Sequence, residues 1–334
     1  MAAGVCGKPL VVYILHSEGR KRCWRIFIDG EAGTTGLQIA SRLNRRDDIE
    51  LLRLDGAERK DAAARKERLN EADVAILCLP DAAAREAVAM IDNDSTCVID
   101  ASTAHRTLPG WAYGFTELDP NYRAELKSSK RIANPGCYAL ASVAMLRPLI
   151  ANGVLPADWP VSINAISGYS GGGKALIQRF EDTTSDSATE NTLYDYALSL
   201  EHKHVPEITH WSGLKHAPIF TPSVGRYYKG MLVHLPLPLW ALPAQPDVDT
   251  LYDIYRVHYQ DEPFVTVNAP DAMASELDPE GLNGTNELRL HLLSNRARGH
   301  AVVVGQLDNL GKGASGQAVQ TLNLVLGVEE STGL

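Results

Sequence analysis

Between residues 25 and 100 the chain alternates short apolar runs with helical stretches, and few folds accommodate that spacing. Runs at 25–28, 49–54, 73–79 and 97–100 read as strands, and stretches at 37–43, 62–70 and 82–91 as the helices between them. Strands separated by helices predict an α/β fold: a doubly wound parallel sheet with ligands beyond the carboxyl ends of its strands. After Cys137 the pattern changes. Strand-like runs at 160–166, 230–237, 288–293 and 300–305 are separated by longer irregular and helical pieces, which predicts a second, α+β domain. The apolar stretch 316–326 reads as a helix packed back on the first domain. A length of 334 residues suits two domains of roughly 100–200 residues. Residues 1–24 show no periodicity and read as an N-terminal extension.

A formal charge of −9 argues against a nucleic-acid or anionic-membrane binder, because a phosphate surface would be repelled. No apolar run approaches the roughly 18–20 residues of a membrane span. The basic residues Arg20, Lys21 and Arg22 follow the early apolar run rather than precede it, the reverse of a secretory signal. The expected location is the cytoplasm. Cys6, Cys23, Cys78, Cys97 and Cys137 are odd in number and lack C-x-x-C spacing, so neither a disulfide framework nor a metal site is expected. Cys6 and Cys23 lie in the irregular start, and Cys78 and Cys97 in apolar runs where cysteine acts as a small hydrophobe.

Gly30, Gly33 and Gly36 are spaced G-x-x-G-x-x-G between the first strand and the first helix. Glycines there let backbone N–H groups approach a pyrophosphate at a helix N-terminus, and Thr34 and Thr35 add hydroxyls. The strand before and helix after favour a dinucleotide site over a plain turn. The choice between NAD and NADP stays open on these residues. Asp55 lies where an acid would hold a ribose, yet Arg53, Arg59 and Lys60 around it suit a 2′-phosphate.

Cys137 follows Asn134, Pro135 and Gly136 and precedes Leu140, Val143 and Ala144 at helical spacing. It therefore sits at a helix N-terminus, where the dipole favours a thiolate and is expected to lower its pKa. A structural cysteine would more naturally lie inside the apolar stretch. A thiolate beside a nicotinamide attacks an activated acyl carbon, expels a leaving group and yields a thioester that accepts hydride. Such chemistry needs an acid/base and an anion site. His202, His204 and Glu207 offer imidazoles and a carboxylate orienter; surface histidines or a metal pair without a third ligand are the alternatives. The segment 168–174, with Ser170 and Lys174, offers donors for a phosphate, although a flexible loop reads equally well; it is not a Walker A loop.

Six segments, at 26–37, 100–106, 134–138, 167–174, 201–207 and 309–316, together resemble the N-acetyl-γ-glutamyl-phosphate reductases, in their short bacterial form. The resemblance implies a Rossmann-type NADP domain over 25–136 plus 309–334. It also implies a glyceraldehyde-3-phosphate-dehydrogenase-like catalytic and dimerisation domain over 137–308. It implies NADPH, an acyl-phosphate substrate and a homo-oligomer, dimer or tetramer. Cys137 would be the nucleophile and His204 the acid/base, oriented by Glu207, with His202 the second candidate. Gly33, Thr34, Thr35 and Gly36 would hold the pyrophosphate, and Pro80 and Ser102 would lie near the cofactor. Arg106, Ser170 and Lys174 would meet the substrate's anionic groups, and Asn309 and Gly313 would approach the nicotinamide. The extension 1–24 departs from the short form. Another acyl-phosphate reductase, such as an aspartate-semialdehyde dehydrogenase, is the nearest rival. A non-catalytic nicotinamide sensor is disfavoured because Cys137, His204 and Glu207 are all present.

Overall fold

The structure is a computed structural model and describes residues 23–270, 272 and 275–334. The expected extension thus lies outside the described residues except at Cys23 and Trp24, and Trp24 already belongs to the first strand.

The first unit runs β1 (Trp24–Asp29), α1 (Thr34–Leu43), β2 (Ile49–Leu52), α2 (Ala62–Glu71), β3 (Val74–Leu77), α3 (Asp81–Met90), β4 (Cys97–Asp100), β5 (Ala112–Tyr113), α4 (Tyr122–Ser128) and β6 (Arg131–Ala133). All its strand pairs are parallel, in the order β2-β1-β3-β4-β6-β5. Every residue of β3 and β4 is buried, as parallel strands covered by helices on both faces require. The apolar run at 73–79 is longer than β3. Its last residues turn the chain into α3, and Pro80 stands exposed as that helix's N-cap.

Helix α5 (Cys137–Ala151) leads into the second unit: β7 (Ser162–Gly168), α6 (Gly173–Glu181), β8 (Leu193–Asp195), α7 (Val205–Ser212), β9 (Ile219–Gly225), β10 (Met231–Pro238), α8 (Val248–His258), β11 (Val265–Asn268), β12 (Leu288–Asn295) and β13 (His300–Leu307). Its mixed sheet has the order β11-β12-β13-β10-β7-β9-β8. The sequence pattern leaves out β9, because Pro222, Thr221 and Ser223 interrupt any apolar alternation. Pairing with β7 over seven residues makes it a strand all the same.

Helix α5 is buried on nearly every side from Tyr138 to Leu149 and packs on β10, β13, α7 and α8. A helix apolar all round is a core element. The chain closes with a π-turn (Gly311–Ser315) and α9 (Gly316–Leu326), which packs on α1 and α4 as expected. The buried polar groups of α9 are matched to the first unit: Gln317 Nε2 and the Thr321 hydroxyl donate to the Gly114 carbonyl at 2.7 and 3.0 Å.

Candidate active site

The glycine loop is shaped by one close approach. Gly30 has φ +88°, and a Cβ on it would lie 2.3 Å from the Cys78 carbonyl oxygen, so β1 and β3 leave room only for glycine. The Gly33 N–H donates to the Gly30 carbonyl at 2.9 Å, and Gly33 then caps α1. The first N–H groups of α1 have no intrahelical partner, which makes this end a place for a pyrophosphate.

Two cavities flank the loop. One, of about 390 Å³, is lined by Gly30, Asp29, Leu54, Arg59, Lys60 and Arg65 among others. Asp29 is neutralised there by Arg65, whose Nη2 lies 2.8 Å from its Oδ2. Arg53 does not line this cavity. Its Nη2 donates to Asn44 Oδ1 at 2.7 Å and faces Glu31 at 3.6 Å, because β2 ends before it and turns it aside. Ser102 is also turned away: its hydroxyl donates to Asp100 Oδ2 at 2.7 Å.

The other cavity, of about 720 Å³, runs from Thr34 and Thr35 at the head of α1 to Cys137 at the head of α5. Arg106, Ser170, His202, His204, Asn309 and Gly313 also line it, so most residues chosen from sequence converge here. A Cβ on Gly136, next to the cysteine, would lie 2.3 Å from His204 Nε2 and 2.5 Å from Arg106 Nη1. One on Gly313 would lie 2.7 Å from Cys137 Cβ. Asn309 braces the wall, taking the Gly230 N–H on Oδ1 at 2.7 Å and donating from Nδ2 to Ser170 Oγ at 3.1 Å.

Four expectations change here. The thiol of Cys137 is held above its ordinary range rather than below it. Burial is the largest cause; Lys203, the Tyr138 amide and Arg106 pull the other way without prevailing. Glu207 does not orient His204. It lies in the first turn of α7, which His204 caps, but its carboxylate is hydrogen-bonded to other groups. Oε1 accepts from Tyr113 Oη and the Gly136 N–H, both at 2.8 Å, and Oε2 from Arg106 Nη1 at 2.9 Å. Arg106 is correspondingly committed to protein: besides Glu207 it donates to the carbonyls of Asn134 and Ala101 at 3.0 and 3.1 Å. Lys174 is exposed and outside the cavity wall. Helical periodicity puts Ala175, Leu176 and Arg179 on the cavity side of α6 instead.

His202 and His204 meet edge to face, with ring centroids 4.7 Å apart. The His204 N–H donates to His202 Nδ1 at 3.1 Å, so a neutral His202 carries its proton on Nε2. Burial, with Lys203 and Arg106 adding to it, brings His202 down to about 4. His204 is driven well below the ordinary imidazole value by burial first, then by Arg106, His202 and Lys203. Its Nδ1 is buried without a hydrogen-bond partner. Arg179, Lys203, Tyr194 and Tyr196 line the cavity without having been singled out from sequence. Lys203 lay inside a noted segment; Arg179 carried no local signal.

A Rossmann-type sheet joined through a buried cysteine-headed helix to a mixed sheet defines a dinucleotide-dependent dehydrogenase of the semialdehyde dehydrogenase class. A family profile described as semialdehyde dehydrogenase, NAD binding domain, matches residues 25–127, and one described as semialdehyde dehydrogenase, dimerisation domain, matches residues 137–309. The chain belongs to the N-acetyl-γ-glutamyl-phosphate reductase family. It is 51% identical over 309 residues to a protein of that name from Burkholderia cenocepacia, covering 92% of this chain and 98% of the relative. It is 48% identical over 318 residues to one from Trichormus variabilis, covering 93% and 99%. The fold is also that of aspartate semialdehyde dehydrogenase II from Vibrio cholerae, solved in complex with ASA, at a TM-score of 0.67 and 15% identity over 92% of this chain and 99% of that one. No helix among the described residues is long and apolar enough to cross a membrane.

Proposed function

We propose that this chain is a cytoplasmic enzyme that reduces N-acetyl-L-glutamyl 5-phosphate to N-acetyl-L-glutamate 5-semialdehyde with NADPH, and runs the reverse, in arginine biosynthesis. The observation that carries this reading is the single cavity shared by Cys137, His204 and the head of α1.

At rest the cysteine is a thiol and His204 a neutral base, since burial opposes charge on both. His204 takes the thiol proton as Sγ bonds to the acyl carbon; the acyl C–O bond to phosphate breaks with its electron pair and phosphate leaves, taking up a proton from solvent, to give a thioester. When bound, the reduced nicotinamide supplies the hydride this chemistry consumes. Cys137 then departs from the carbon as a thiolate, the aldehyde is released, and His204 returns the proton. Glu207 holds the Gly136 N–H and so sets where α5 and its nucleophile begin.

For the second nucleotide phosphate, Arg59 and Lys60 support NADP over NAD, because they line the adenosine-side cavity while its one buried acid, Asp29, is already paired. The double change Arg59→Ala, Lys60→Ala is expected to raise KM for NADPH about 10–100-fold, the worth of one charge-assisted hydrogen bond, and to leave KM for NADH nearly unchanged. Steady-state kinetics with both nucleotides checks it; equal loss with both would assign these residues to general binding.

The substrate carries a phosphate at one end and a carboxylate at the other. Lys203 acts electrostatically on Cys137 and both histidines, which suits the phosphate end. Arg179, beside Tyr194 with its guanidinium carbon 5.4 Å from that ring, suits the carboxylate. Arg179→Met is expected to raise substrate KM about 10–100-fold with a smaller change in kcat, since the contact is made equally in ground and transition states. An unchanged KM would remove Arg179 from the substrate site.

A homo-oligomer is supported by the dimerisation-domain match and by exposed Leu193, Leu198 and Leu200 at the β8 edge of the second sheet. Light scattering reads its size. The activity itself is tested in reverse, with N-acetylglutamate semialdehyde, phosphate and NADP⁺, following absorbance of the reduced nicotinamide. Phosphate-dependent reduction is expected. Aspartate semialdehyde as sole active substrate would overturn the acyl specificity, and silence with both would overturn the reaction.

A further inference from the structure

The turn that faces the nucleophile contains a charge that the chemistry above does not use. Lys312 and Glu117 are both fully buried. Lys312 Nζ donates to Glu117 Oε1 at 2.6 Å and to Gln320 Oε1 at 2.7 Å, and lies 5.4 Å from the ring centroid of Phe264. Glu117 Oε2 accepts from the Thr116 hydroxyl at 2.7 Å, and Oε1 from Gln320 Nε2 at 2.8 Å. One ammonium thereby ties together the loop after β5, helix α9 and the segment entering β11.

Stability alone is a poor reason for this pair. A buried ion pair roughly cancels its own desolvation, and apolar replacements are often neutral or better. Its position in the backbone offers a better one. Lys312 sits inside the π-turn, where Gly313 N–H donates to the Asp308 carbonyl and Ser315 N–H to the Leu310 carbonyl, each at 3.0 Å and five residues back. The next residue, Gly313, is pressed against Cys137, and the Ala314 carbonyl takes Asn134 Nδ2 at 3.1 Å. Lys312 therefore pulls on the same turn whose neighbouring residues form the wall over the thiol.

The geometry points to Lys312, held by Glu117 and Gln320, as a positioning residue that fixes the Gly313–Ala314 wall against Cys137 and so sets the access and alignment of the nucleophile. This rests on Cys137 as the nucleophile, but its test does not need turnover. The variant is Lys312→Met with Glu117→Gln, which removes the ammonium without stranding a buried carboxylate. Alkylation of the Cys137 peptide by iodoacetamide, followed by mass spectrometry in nucleotide-free protein, reads the wall directly. The expected result is a folded protein, judged by circular dichroism, whose Cys137 is alkylated several times faster. Its kcat falls about 10–100-fold, the cost of a misplaced reacting group, with KM for nucleotide little changed. A folded variant with the parent's alkylation rate and kcat overturns the assignment. Should that variant not fold, Lys312→Gln alone removes the ammonium and its reach while leaving an amide donor for Glu117; a parental alkylation rate there is equally fatal. If the parent shows no reductase activity, the alkylation comparison still decides the role of Lys312, while the reaction proposed above fails separately.

Discussion

Cys137→Ala is expected to abolish turnover while dinucleotide binding survives. The side chain heads α5 at the junction of the cavity with both units, and the substitution removes one sulfur without disturbing a hydrogen bond on which the fold depends. Without Sγ no thioester forms, and the rest of the cavity offers no substitute nucleophile at that point. The nucleotide contacts proposed above, at the head of α1 and around Arg59 and Lys60, do not include this side chain. Fluorescence titration with NADPH and a turnover assay on the same preparation check both halves. Loss of both activities would mean that Cys137 holds the structure together and that the nucleophile lies elsewhere.

His204→Asn is expected to cost about 10²–10⁴ in kcat, the usual worth of a general acid/base, with KM values nearly unchanged. The pH dependence follows from the directions of the two shifts. A raised thiol value means that kcat/KM for the parent climbs as pH rises through the alkaline range. A depressed imidazole value keeps His204 in its basic form down past about pH 6.5, so no acid limb from an ordinary histidine is expected there. In the asparagine variant the neutral-pH rate falls most, because only spontaneous thiolate remains to attack. His202→Asn is the control. That ring takes the His204 N–H on Nδ1, so its loss is expected to have the smaller effect. If His202→Asn is the crippling change, the two roles exchange.

Much of the site was readable from residue order. Gly30 and Gly33 stand between a strand and a helix and Gly36 in the helix's first turn, a placement that favours a dinucleotide loop over a plain turn. Cys137 follows Pro135 and Gly136 at the entrance to an apolar helix, which is a local fact, and the structure puts it at the first position of α5. The strand–helix alternation of residues 25–100 was local too, since each segment declares its period within a few residues. Strands β5, β6, β8, β9 and β11 were not read: the first two are only two and three residues long, the others pair with chain far away, and Pro222 hides the longest of them.

What sequence by itself determined was the parallel first sheet, the glycine loop, the helix behind Cys137 and the cavity these elements imply. These depend on spacing and backbone preference, which neighbours in the chain decide. Tertiary structure alone decided the partners and charges of the side chains. Glu207 turned to Gly136 rather than His204, Arg106 was taken by Glu207, Arg179 replaced Lys174 at the cavity, and Lys312 found Glu117 across 195 positions. It also reversed the expected direction at the thiol. A helix N-terminus is written into the local chain, whereas desolvation depends on everything that packs around the sulfur, and here burial outweighs Lys203, the Tyr138 amide and Arg106.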